Sequence, residues 1–202
     1  MPQFILEGRD NAARAESAFV LGFIEAMFFT EGSPAFHAHE WFSDECKEAQ
    51  EEGQADGTLP GDVGYDDLHP DSLALIQADC EEWQAANAEL LKLAYARGYD
   101  ETQAGRDYWF TRNGHGVGFT DRAELECDDS EYERLTALIM HHAAKGDEPD
   151  DSKWQAAFDE RARLTCESLG DKLSKAAGRS EVNPFFGGHS THGDAPFVHV
   201  DL

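Results

Sequence analysis

Apolar positions along the chain recur with the period of helices. Phe19, Val20, Phe23, Ile24, Met27 and Phe28 fall at i, i+3 and i+4, which predicts a first helix over residues 11–30 with Asp10 as its cap. The run Glu31-Gly32-Ser33-Pro34 ends it. A short helix is expected over 43–52, followed by a glycine-rich loop over 53–64. Pro70 suits the first turn of a second helix, with Leu73, Ile76, Cys80, Trp83 and Leu90 on its buried stripe and Gly98 as its stop. Asp100 caps a third helix that runs to about Arg112 and closes at Asn113-Gly114. Ser130 with Glu133 reads as the capping box of a fourth helix. Asp151 or Ser152 opens a fifth, with Asp171 capping 172–177 and Gly178 as the stop. At the end of the chain Val198, Val200 and Leu202 alternate with polar residues, the pattern of a half-buried strand. Phe4-Ile5-Leu6 or Val117-Gly118-Phe119 offers it a partner. The fold expected is α+β, mainly α: about five helices with a small C-terminal antiparallel sheet or hairpin.

The chain has 202 residues, 41% of them hydrophobic and 11% aromatic. That is enough for one core, so a single domain over 1–202 is expected, with 126–163 as a helical insertion and 40–67 as an acidic, partly loop segment. A wholly disordered acidic tail is excluded by the aromatic content. No apolar run reaches about 18 residues, and the first residues lack a basic stretch followed by an apolar one. A cytoplasm is therefore the expected compartment. Cys46, Cys80, Cys127 and Cys166 show no paired spacing and read as reduced structural thiols.

Charge changes the picture most. The chain carries 41 Asp and Glu against 16 Lys and Arg, a net charge of −25. A surface so negative repels nucleic acid and anionic lipid, so direct binding to either is not expected. The acidity is uneven. Residues 40–82 hold 14 acidic side chains and one basic, and 126–151 hold 9 and 2. Residues 83–125 and 152–202 are nearly balanced. Exposed carboxylates are expected at Glu45, Glu48, Glu51, Glu52, Asp62, Asp66, Asp67, Glu81 and Glu82. A solvated face that keeps the protein soluble accounts for this distribution, and so does adaptation to salt, given six lysines against ten arginines. A third account is a surface that imitates the phosphate rows of DNA and occupies the basic groove of a DNA-binding partner.

The densest candidate chemistry lies between Arg106 and Arg122. Glycines at 114, 116 and 118 let the backbone approach a ligand or take positive φ. Arg112, Asn113, His115, Asp121 and Arg122 supply donors, acceptors and one group titrating near neutrality, a set able to hold a ligand. The same residues also make a helix stop and a turn fixed by Arg–Asp pairs. No Gly-Lys-Ser/Thr follows, so the run is not a phosphate loop.

The run Tyr108-Trp109-Phe110-Thr111-Arg112-Asn113-Gly114-His115-Gly116-Val117-Gly118-Phe119-Thr120-Asp121-Arg122 resembles a stretch in small acidic proteins encoded by bacteriophages, prophages and plasmids. The similarity extends to 23–31, 64–68, the second helix and 169–177, roughly half of the chain. Residues 126–163 and the histidine-rich tail from Pro184 depart from that group. The resemblance implies a mobile-element setting in a bacterial cytoplasm; it implies no reaction.

Metal and catalytic signals are weaker. His37 and His39 form a His-x-His pair, and His189 and His192 lie in the tail. A third ligand is not placed by spacing, and neither HExxH nor paired cysteines occur, so no metal or cofactor is expected. No serine sits in a GxSxG elbow and no cysteine has a nucleophile context. Carboxylates are too numerous for any pair to be nominated without geometry. An accessory protein that binds a host protein through its acidic surface is the first expectation. A small ligand-binding or enzymatic domain around Arg112-Asn113-Gly114-His115 is the second, and an inert acidic domain the third.

Overall fold

The computed structural model describes residues 15–53, 57–126, 168–178, 181–187 and 196–201. Within these the molecule is mainly helical, with one small antiparallel sheet near the C-terminus. Helix α1 is Ala18–Glu31, α2 Asp44–Glu51, α3 Pro70–Ala86, α4 Ala88–Ala96, α5 Glu101–Arg112 and α6 Leu169–Ala177. Strands β1 (Gly32–Ser33) and β2 (Leu59–Pro60) pair in parallel. Strands β3 (Asn183–Gly187) and β4 (Phe197–Asp201) form the antiparallel hairpin. The fourth predicted helix, the start of the fifth, Phe4–Leu6, Cys127, Cys166, His189, His192 and Leu202 lie outside the described residues.

Helices α1 and α5 form the centre. Two glycines let them touch: a Cβ on Gly22 would sit 2.0 Å from the Thr102 carbonyl oxygen, and one on Gly105 would sit 1.9 Å from that of Phe19. The close crossing interleaves Phe19, Phe23, Tyr108 and Trp109, and Trp109 meets Phe23 edge to face at 5.2 Å. Trp83 of α3 stacks on Tyr108 at 4.4 Å and on Phe119 at 5.6 Å, which ties the Gly118 turn to the same core.

Several boundaries differ from expectation. Helix α1 starts at Ala18, because the Ser17 hydroxyl accepts from the Val20 N–H and caps it there. It is buried nearly all round, not only on one stripe. The single helix expected from Pro70 to Gly98 is two helices. At Asn87 the backbone leaves helical values, and the Asn87 side-chain amide joins its own backbone N–H in donating to the Trp83 carbonyl. Helix α6 is capped by Ser168, with Asp171 answering from the third position of a capping box. Strand β4 pairs with Asn183–Gly187, whereas Phe119 begins a 3-10 turn. The helix after Ser43, the third helix with its Asp100 cap and the stop at Gly178 are as expected.

The hairpin is anchored to the start of α3. His69 N–H donates to the Val198 carbonyl, and the buried Ser72 hydroxyl accepts from Val200 N–H. Cys46 and Cys80 are both buried and unbridged.

Candidate functional site

The two arginines Arg112 and Arg122 of the glycine-rich run turn inward. Arg112, at the last turn of α5, is 5% exposed. Its guanidinium pairs with Asp79 of α3, donates to the Tyr108 hydroxyl at 3.1 Å and lies 5.2 Å above the Tyr108 ring. Asn113 caps α5: its amide donates to the Trp109 carbonyl, and its oxygen accepts from Val182 N–H at 2.8 Å, holding the lead into β3. Gly114, Gly116 and Gly118 all take positive φ. Gly118 also passes close to Thr111, whose hydroxyl a Cβ would meet at 2.3 Å.

His115 packs its ring toward Trp109 and Phe110, with Nε2 3.8 Å from a Glu31 oxygen. Glu31 accepts from Thr58 through its other oxygen. Asp121 accepts from the Gly118 N–H at 3.0 Å and closes the turn. Arg122 reaches under it to Asp107.

Asp107 is the deepest polar group near the loop, fully buried on α5. It collects four hydrogen bonds, from Tyr99 Oη at 2.7 Å, Gln103 Nε2 at 3.0 Å, Arg122 Nε at 2.7 Å and Arg122 Nη2 at 2.5 Å. The bond to Asp107 raises the Arg122 pKa against the opposing effect of burial. Burial, with Asp107 beside it, pushes the Tyr99 phenol up. Burial does the same to Tyr108 and to the Cys80 thiol, which therefore stays protonated at neutral pH.

Outside this cluster the chain opens a polar cleft of about 290 Å³ between the start of α5 and the turn after Gly118. Tyr99, Asp100, Gln103, Asp121, Arg122 and Glu124 line it. The structure thus brings Asp121 and Arg122 together and leaves Arg112, Asn113 and His115 out of the cleft wall. Tyr99 and Gln103 were not expected in it, nor was Asp107 expected as the buried anion to which they bond. Their spacing of four residues was the available signal: it sets Gln103 and Asp107 on one face of α5, with Tyr99 just before the Asp100 cap.

The acidic candidates are mostly where a surface requires them. Glu45, Glu48, Glu51, Glu52, Asp62, Asp66, Glu81 and Glu82 are exposed. Asp67 is partly buried and accepts from Gly64 N–H at 2.8 Å, so it holds a turn. Asp62 accepts from Ala38 N–H and stands 3.6 Å from His37 Nδ1. His37 stacks on His39 at 6.0 Å, and His39 faces Glu40. Among the described residues no three His, Cys, Asp or Glu side chains converge as metal ligands do. No described helix is long and apolar enough to cross a membrane. No protein-family model, curated protein or solved structure matches the chain.

Proposed function

We propose that the protein is an accessory factor of a mobile genetic element that binds a basic, DNA-binding host protein through its acidic surface, in the manner of a DNA mimic. Helix α2 carries the reading. Only Cys46 of α2 is buried, and Asp44, Glu45, Glu48 and Glu51 are exposed. With Glu52 they place five carboxylates along about 13 Å of helix, one per about 2.7 Å, against about 1.7 Å per charge in duplex DNA. Lys47 is the single cation there, and it leans toward Asp44 at 3.8 Å. Exposed Asp62, Asp66, Glu81 and Glu82 add charge from the neighbouring loop and α3.

Such a surface attracts a DNA-binding groove by the electrostatics that attract DNA. Binding then weakens steeply with salt and competes with duplex DNA. The test is capture from bacterial lysate at low salt, followed by competition with duplex DNA. Recovery of a nucleic-acid-binding protein that DNA displaces supports the reading. Capture that is absent, or unchanged when Glu45, Glu48 and Glu51 are replaced by Gln, refutes it.

A further inference from the structure

The cleft beside Asp107 has chemistry separate from the acidic helix. Asp107 uses one half of each of two side chains. Gln103 and Arg122 both donate to its Oδ1, at 3.0 Å and 2.5 Å, and Arg122 adds a second bond to Oδ2. The carboxylate can only accept from these groups, so the Gln103 amide is oriented with Nε2 inward. Its Oε1 and the Arg122 Nη1 make no hydrogen bond among the described residues. An acceptor and a donor are therefore left over on two neighbouring residues of the cleft wall, both tied to the same oxygen of a buried anion that also neutralises the guanidinium. A side-chain exposure of 28% leaves Arg122 open to a ligand.

A neighbouring donor and acceptor match an amide or ureido group, whose carbonyl accepts from Nη1 while its N–H donates to Oε1. The rest of the cleft sets the ligand's charge. Asp100, Asp121 and Glu124 are exposed around it. The only guanidinium in the wall is already paired, so phosphates and carboxylates meet net repulsion. Gly98, Tyr99 and Ala123 complete the wall. We propose that this cleft binds an amide or ureido group carried by a neutral or cationic molecule, with Gln103 and Arg122 reading the amide and Asp100, Asp121 and Glu124 selecting against anions.

A small molecule and a segment of basic peptide carry the same chemistry, and two probes separate them. The first is 1-methylnicotinamide, a cation with a primary amide, compared with its carboxylate counterpart trigonelline. The second is Nα-acetyl-lysine N-methylamide, which offers only backbone amides beside a cation. Each is titrated to millimolar concentration against the full ¹⁵N-labelled chain, with the Gln103 side-chain amide and the Arg122 Nε–H as reporters. Saturable shifts at both reporters are expected with the amide probes, and trigonelline is expected to bind about tenfold more weakly, the factor of one hydrogen bond. The probe that binds more tightly identifies the source.

Gln103→Met keeps the shape and removes Oε1; it is expected to weaken the amide probes by about tenfold. The exposed Glu124→Gln leaves the Asp107 cluster untouched and is expected to weaken the cationic probes alone. The proposal fails if no probe gives saturable shifts, if trigonelline binds as well as the amide, or if Gln103→Met leaves the amide probes unaffected in a chain whose spectrum remains folded. None of these outcomes bears on the acidic-partner reading, which the lysate capture tests independently.

Discussion

Arg122 grips Asp107 with two nitrogens, and Asp107 is the one fully buried acidic side chain among the described residues. The pair joins the turn after Gly118 to the middle of α5. Removing the guanidinium leaves a buried carboxylate with only Tyr99 and Gln103 as donors. Arg122→Met is expected to cost about 3 kcal/mol, the low end for breaking a buried pair because Arg122 keeps some water contact. Replacing both residues, Asp107→Leu with Arg122→Met, removes the stranded charge and is expected to recover part of that loss. Urea denaturation of the three chains checks this. A single Arg122→Met variant as stable as the parent would show that the buried charge is solvated some other way.

The glycine pair at the centre allows a second prediction. A Cβ on Gly22 or Gly105 runs into the backbone carbonyl of the facing helix, which no rotamer change relieves. Gly22→Ala and Gly105→Ala are each expected to cost about 3 kcal/mol or more, although alanine is the better helix former. Gly114 has positive φ but open space, so Gly114→Ala is expected to cost only about 1 to 2 kcal/mol from the backbone. Thermal melts of the three variants should fall in that order. A reversed order would mean that α1 and α5 do not cross at these glycines.

Residue periodicity revealed α1 and the last strand because their apolar side chains repeat on the scale of the element that buries them, while α5 was marked by its Asp100 cap and its stop at Asn113-Gly114. Phe19 to Phe28 and Val198 to Val200 are examples. Boundaries were less legible, since they depend on single side chains that compete for backbone groups. Ser17 caps α1 later in the chain than the apolar pattern indicates, and Asn87 broke a helix whose apolar stripe continues across it. The strand partner was illegible because pairing of β3 with β4 is fixed by contacts far apart in the chain, such as Ser72 to Val200. The site divided in the same way. Arg112 and Arg122 stood out as charges in a glycine-rich run, but their partners Asp79 and Asp107 lie on helix faces and do not stand out from the many other carboxylates. Burial, which sequence does not display, turned both arginines into internal ties.

Helix α2 allows opposite predictions for two carboxylates. Glu45 lies in its first turn, where the helix dipole favours a negative charge, and Glu51 ends its last turn, where the dipole opposes one. Glu45→Gln is expected to lower stability by about 0.5 kcal/mol at low ionic strength and Glu51→Gln to raise it by a similar amount. Both effects shrink as salt screens them. Denaturation at low and high salt tests this, and equal signs for the two variants would mean that crowding among the carboxylates, not the dipole, governs the helix.

Alkaline pH provides the last test. Burial first, then the charges of Glu101 and Asp100, raises the Tyr95 phenol to about 12. Burial also raises Tyr99 and Tyr108. In the unfolded chain these groups ionise near pH 10. Above that pH the unfolded state loses protons that the folded state retains, so stability is full below about pH 10 and falls as pH rises toward 12. Tyr95 differs from the other two in one respect that a variant can exploit. Its hydroxyl is buried without a hydrogen-bond partner among the described residues, while those of Tyr99 and Tyr108 bond to Asp107 and Asp79. Tyr95→Phe therefore removes a desolvated polar atom and is expected to raise stability at pH 7 by about 1 kcal/mol. It is also expected to flatten the alkaline decline. Tyr99→Phe removes a bond to the buried Asp107 and is expected to lower stability at pH 7. Melting curves between pH 7 and 12, followed with tyrosinate absorbance, distinguish the two. If Tyr95→Phe is destabilising at neutral pH, its hydroxyl has a partner in solution and the alkaline decline belongs to Tyr99 and Tyr108 alone.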